Sequence, residues 1–193
     1  HLRDPGDAHA APADLVMLAG HYAAAYALKA ARPAVRLWVL AVMVQAVDIA
    51  FFVLVLAGVE TLSLDRSALG PLGMHLQHIP YTHALTANLL YAAVVVAVAF
   101  IMKRAWAGLV LAAALLSHWC FDLVVHLPDL PLTLAGETRV GLGLWRAPMV
   151  ALALELGLLV VSFLALRRSL PSGSSRRWAA AGAALLCVLQ LLY

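Results

Sequence analysis

Residues 105–127 read AWAGLVLAAALLSHWCFDLVVHL, an apolar run that carries two histidines and an aspartate in its second half. A helix needs about 20 predominantly apolar residues to cross the hydrocarbon core of a bilayer. An aspartate at the centre of such a helix costs about 2.5–3.5 kcal/mol on the insertion scale. The stretch is long enough to span and too polar to face lipid all round. How many other runs are like it, and what its polar residues meet, are the two things the rest of the chain must answer.

The composition points the same way. Of 193 residues, 64% are hydrophobic and 12% charged, with a mean hydropathy of +0.93. Soluble domains are about 45–50% apolar and about 25% charged. Too few polar residues remain to cover a water-facing surface, so the expected class is all-α, a polytopic membrane bundle of about six transmembrane helices. The expected spans run from Leu15 to Ala30, Val35 to Val59, Ala84 to Met102, Ala105 to Leu127, Pro148 to Leu166 and Trp178 to Tyr193. Residues 1–13 form a polar tail with no pattern of a cleavable signal peptide, and residues 14–193 a single transmembrane domain. Cys120 and Cys187 lie far apart inside apolar runs, without a CxxC, and read as packing residues.

Charge sets an orientation. Lys29, Arg32 and Arg36 separate the first two runs, Lys103 and Arg104 the third and fourth, and Arg167, Arg168, Arg176 and Arg177 the last two. If all six runs span, these three connections share one side, and they hold nine of the thirteen basic residues. The positive-inside rule makes that side cytoplasmic. The longer connections around residues 60–83 and 128–147 would face outward, and the chain would sit in a bacterial inner membrane. The net charge of +3 thus reports orientation, and no nucleic-acid partner is expected.

The ionisable residues inside the apolar runs are His21, Asp48, His118, Asp122, His126 and Glu155. Their summed penalty favours facing one another or a cavity; the alternative is scattered groups satisfied by helix–helix hydrogen bonds. His118, Asp122 and His126 are spaced i, i+4, i+8, one helical face in successive turns. Imidazole nitrogens and carboxylate oxygens ligate zinc, manganese or iron. A second group, His75, His78 and His83, precedes the third run, with Pro80 forcing a break that allows His78 to fold back toward His83. His75 best fits a plain loop histidine. On the assigned topology these groups converge on a cavity opening outward from mid-membrane depth.

Four short elements in order resemble the family of LexA-binding, inner membrane-associated metal-dependent hydrolases. Gly20-His21, then Asp48, then His78 to Ala84, then Ser117-His118 with Asp122 fall on its pattern, over about residues 20–125. Ala50, Ile79, Pro80 and Ala84 depart from it. The resemblance implies a ligand set of His21, Asp48, His78, His83, His118 and Asp122, to which helical spacing adds His126. It also implies hydrolysis, and similarity to zinc-dependent phospholipase C suggests a phosphoester.

The expected function is metal-dependent hydrolysis, by a metal-activated water, of a phosphoester in a lipid or lipid-linked substrate. One or two divalent ions are expected, zinc first, with manganese or iron as alternatives. Glu155 or Asp122 would be the catalytic carboxylate, Arg139 or Arg146 an anion clamp, and Trp145 an interfacial anchor. Membrane lipids are the expected partners. Two other functions use the same residues: a metal-binding membrane protein without turnover, and an ion transporter. No inverted repeat and no polar residues on the inner half of the helices speak for transport.

Overall fold

The structure, a computed structural model, describes residues 19–64 and 74–192. The polar tail, residues 15–18 of the first expected span and Tyr193 of the last lie outside them. Eight helices occur among the described residues: α1 (Tyr22–Ala31), α2 (Leu37–Val44), α3 (Ala46–Leu56), α4 (Pro80–His83), α5 (Leu85–Ile101), α6 (Ala105–Val125), α7 (Pro148–Ser169) and α8 (Ser174–Leu192).

Their ends follow local chemistry. Arg32, held out of the α region by Pro33, closes α1 with φ −134°. Pro148 opens α7 at the position where a missing N–H costs nothing. Between α5 and α6 the chain reverses through Lys103 in the left-handed region, φ 56°. The second expected span breaks at Gln45 into α2 and α3, bent by 48°, although no Pro or Gly lies between residues 35 and 56.

Two helices, α6 and α7, are long and apolar enough to cross a membrane by themselves, and the bent α2–α3 pair makes a third such unit. α5 is apolar but shorter, at 17 residues. Large apolar side chains stand exposed on the outward faces, among them Phe52, Val94, Phe100 and Val161. A soluble monomer rarely shows so much.

α6 is the central element, packed against α5, α2, α1 and α3. Ala25, Leu40, Val44, Val110 and Ala114 make one core between α1, α2 and α6. Tyr26, Leu159, Leu166, Ala179 and Ala183 make a second between α1, α7 and α8. The basic connections 32–36, 102–104 and 167–177 gather at one end, where Arg32 lies over the Trp106 ring at 5.4 Å and Leu37 packs on the α7–α8 core.

The opposite end is closed by two small hairpins in what the sequence reads only as loops. β1 (Thr61–Leu64) pairs antiparallel with β2 (Met74–His78), and β3 (Leu130–Pro131) with β4 (Arg139–Val140). Phe51, Leu76, Ile79 and Leu130 form a third core under them. Arg139 Nη2 donates to the Gln77 carbonyl at 3.0 Å, tying one hairpin to the other. Gly143 N donates to the His126 carbonyl at 2.7 Å. At Gly141 the loop backbone comes so close to the Leu127 carbonyl that a Cβ would overlap it.

Candidate metal centre

Asp122 sits in the last turn of α6 and is buried, with histidines on both of its oxygens. His21 Nε2 lies 3.1 Å from Oδ1 and His118 Nε2 3.2 Å from Oδ2. His83 Nε2 is 3.9 Å from Oδ2, and His126 Nε2 3.9 Å from Oδ1. Asp48 of α3 joins from the other side, its Oδ1 3.4 Å from His118 Nε2 and 3.6 Å from His83 Nε2. α6 supplies His118 and Asp122 from one face, and His126 follows as the residue that caps its end. The residue preceding α1, the first turn of α3 and the last residue of α4 bring His21, Asp48 and His83 to that face.

Tautomers follow from what the far ring nitrogens meet. His118 Nδ1 lies 2.8 Å from the Val44 carbonyl, which only accepts, so Nδ1–H donates there. Thr82 donates its hydroxyl to Glu60 Oε2 at 2.6 Å, so it accepts from His83 Nδ1–H at 2.8 Å. His126 Nδ1–H donates to Asp129 Oδ1 at 3.0 Å. In all three rings the proton is held outside the cluster, leaving the Nε2 lone pair turned inward on carboxylate oxygens.

For His118 that arrangement is repulsive unless a proton or a metal ion lies between Nε2 and the carboxylates, whereas His21 Nε2 makes a hydrogen bond to Asp122 Oδ1. His118 Nε2 and Asp122 Oδ2 are both buried and have no hydrogen-bond partner, and unpaired buried polar atoms cost about 1–3 kcal/mol each. Two ligands each about 2.1 Å from one tetrahedral zinc stand about 3.4 Å apart. The contacts of 3.1, 3.2 and 3.4 Å match that spacing. Two overlapping groups, His21–His118–Asp122 and Asp48–His83–His118, can each hold a metal ion, with His118 common to both. The outward Nδ1–H bonds are the supports that orient metal-ligating imidazoles.

His126 stands just beyond these groups, its ring packed against Trp145 at 4.1 Å between centroids and tilted by 45°. Trp145 therefore roofs the cluster, and its buried Nε1 has no hydrogen-bond partner. His78 is not brought in. It is exposed at the end of β2, its ring edge-on to Tyr81, ahead of the Pro80 that begins α4. Glu155 is buried in α7 against Gly20, and accepts a hydrogen bond from Gln190 of α8. None of its described contacts is with a histidine or aspartate of the cluster. Arg139 is engaged by Gln77, and Arg146 is exposed.

Three supporting residues escape a reading of the sequence: Glu60, Thr82 and Asp129. Glu60 accepts from Tyr81 N, Thr82 N and the Thr82 hydroxyl, a buried carboxylate that holds α4 and hence His83 in place. Only His126 and Asp129, spaced i, i+3 across the helix end, leave a trace in the spacing. Trp119 Nε1 and Asn88 complete the fixing of this segment through the His83 and Thr82 carbonyls.

No family model, no curated protein and no solved structure matches this chain.

Proposed function

We propose that the chain is a membrane-embedded, metal-dependent hydrolase acting on a phosphoester of a lipid or lipid-linked substrate. The observation that carries the metal is the convergence of three oriented Nε2 lone pairs on the carboxylates of Asp48 and Asp122. Hydrolysis and the phosphoester rest on the resemblance to inner membrane-associated metal-dependent hydrolases. In this reading all six apolar runs span, the basic connections are cytoplasmic, and the hairpin end, with the metal centre beneath it, faces outward. Zinc is the first candidate, as one or two ions.

A metal bound here supplies Lewis acidity and a water acidified toward neutral pH. The chain's residues do the rest. His21, His83, His118, Asp48 and Asp122 hold the ion, Glu60, Thr82 and Val44 fix the His83 and His118 imidazoles, and Asp129 fixes His126 beside them. Asp48, the least buried of the group at 21% side-chain exposure, marks the side from which substrate approaches. Trp145, its buried Nε1–H unpartnered, covers His126, and exposed Arg146 beside it supplies positive charge. With both aspartates placed as ligands, proton transfer falls to whichever carboxylate oxygen is not engaged by the ion.

A metal protein without turnover is the second reading, favoured by the engagement of Glu155 with Gln190. Metal analysis of the purified chain and of its His118→Ala and Asp122→Ala variants, followed by a phosphoester screen, separates the two. Metal and activity lost together support the hydrolase. Metal bound with no activity on any phosphoester supports the second reading, and no metal in the wild type sinks both.

A further inference from the structure

At the end opposite the metal centre, α2 and α5 both pack on α6 but barely meet each other. A cleft of about 1410 Å³ runs between them, floored by α6. Its depth is apolar, with Met43, Val95, Val110 and Leu111 along it. Its lip is basic. Arg32 and Arg36 stand on one side, Lys103 and Arg104 on the other, and no acidic residue lines the cleft.

None of these four cations makes an ion pair among the described residues. Arg32 lies over Trp106, which pins its guanidinium at the mouth. Salt bridges here all involve histidine and belong to the metal end of the molecule. Chance placement of basic residues at helix ends explains positive charge at this end. It does not explain a slot directly beneath the charge that is deep, apolar and open to one side.

We infer that this cleft binds one anionic phospholipid, its phosphate among Arg32, Arg36, Lys103 and Arg104 and an acyl chain laid along α6. The chemistry is complementary at both ends. A phosphate takes paired N–H donors from arginine, and basic pockets between membrane helices take anionic head groups. Another helix would satisfy the apolar depth but not four unpaired cations, and free phosphate would satisfy the cations but leave the slot empty. The inference rests on the membrane reading and is independent of what the metal centre does.

Native mass spectrometry of the full chain in a neutral detergent tests it, with phosphatidylglycerol and phosphatidylcholine of identical chains as probes. We expect one retained phosphatidylglycerol, held at least about tenfold more tightly than phosphatidylcholine. The double variant Arg36→Gln with Arg104→Gln should lose that preference, while Arg36→Lys with Arg104→Lys keeps much of it. Arg167→Gln with Arg168→Gln, at the same end but outside the cleft, should leave it intact. Val98→Trp, which fills the slot and spares every cation, should abolish retention of the lipid. Equal loss in the Arg167/Arg168 variant, retention in Val98→Trp, inorganic phosphate displacing the lipid, or a second copy of the chain in its place each overturns the proposal. Metal content of the same samples reports separately on the other end of the molecule.

Discussion

His118 gives its Nδ1 proton to the carbonyl of Val44, 74 residues earlier in the chain, at 2.8 Å. Val44 is the last residue of α2, and the bend at Gln45 turns its carbonyl out of the helical ladder, where it needs a donor. One break in one helix thus does two things. It sets the tautomer of a histidine on another helix, and it swings α3 so that Asp48 faces the same Nε2 at 3.4 Å. The bend has no Pro or Gly behind it, and the His118 bond is the identifiable partner that a straight helix would lack.

The first prediction follows from the ligand geometry. His118→Ala removes the one residue common to both candidate ligand groups, so bound metal should fall to background by elemental analysis. Asp122→Asn keeps the volume but replaces an oxygen facing a lone pair with an amide, and should lower metal content to a similar degree. His78→Ala should leave it unchanged, since His78 is exposed and outside both groups. Metal loss in His78→Ala equal to that in His118→Ala would restore His78 as a ligand and contradict this geometry.

The outer bonds are predicted to matter nearly as much. Thr82→Val deletes the hydroxyl that accepts from His83 and donates to Glu60, while keeping the side-chain shape. Metal affinity should drop about 10–100-fold, the usual effect of removing such a support, with the fold retained by circular dichroism. Glu60→Gln keeps one acceptor for the Tyr81 and Thr82 amides and should cost less than Glu60→Ala. Competition with a chromophoric chelator measures each value, and unchanged affinity in Thr82→Val would show that the relay is incidental.

The central face of α6 was legible because helical period and apolar background isolate it: His118, Asp122 and His126 stand out at four-residue steps. His21, Asp48 and His83 could be picked out as costly or resembling residues, yet nothing in their spacing says they meet. Glu60 and Thr82 were not legible as supports, because side-chain hydrogen bonds between a loop and a short helix leave no periodicity, and Asp129 left only its three-residue spacing from His126. The break at Gln45 had no sequence marker, since its cause lies on α6. The strands of the hairpins, two to five residues long, are below the length at which alternation can be read.

Gly20 and Gly157 should respond oppositely to the same change. A Cβ at Gly20 would fall 3.0 Å from Glu155 Cγ and 3.2 Å from its Oε2. Gly20→Ala therefore presses α7 away from the residue next to His21, and should destabilise the chain by about 1–3 kcal/mol with some loss of metal. Gly157 lies on the exposed face of α7 with nothing within 4 Å of a Cβ, and Gly157→Ala should stabilise by up to about 1 kcal/mol. Thermal unfolding in one detergent ranks them. A neutral Gly20→Ala would mean that α1 and α7 are not packed as closely as described.

The last prediction concerns the ion as a cross-link. Its ligands come from the residue before α1, from α3, α4 and α6, so an ion held by the native chain favours the folded state by mass action. At free metal about 100-fold above its dissociation constant this amounts to about 2.7 kcal/mol, or a midpoint shift of about 5–10 °C for a chain of this size. Removing the ion with a chelator should lower the midpoint by that amount, reversibly on adding zinc back. Trp145, packed against His126, makes tryptophan fluorescence a suitable probe. Asp122→Asn should start from the lower midpoint and ignore the chelator. Gln190→Leu, which removes the partner of Glu155, should also unfold earlier but keep the full chelator response, because its defect lies between α7 and α8. An identical midpoint with and without the ion in the wild type, after confirmed metal loss, would show that the four histidines and two aspartates hold their geometry without one.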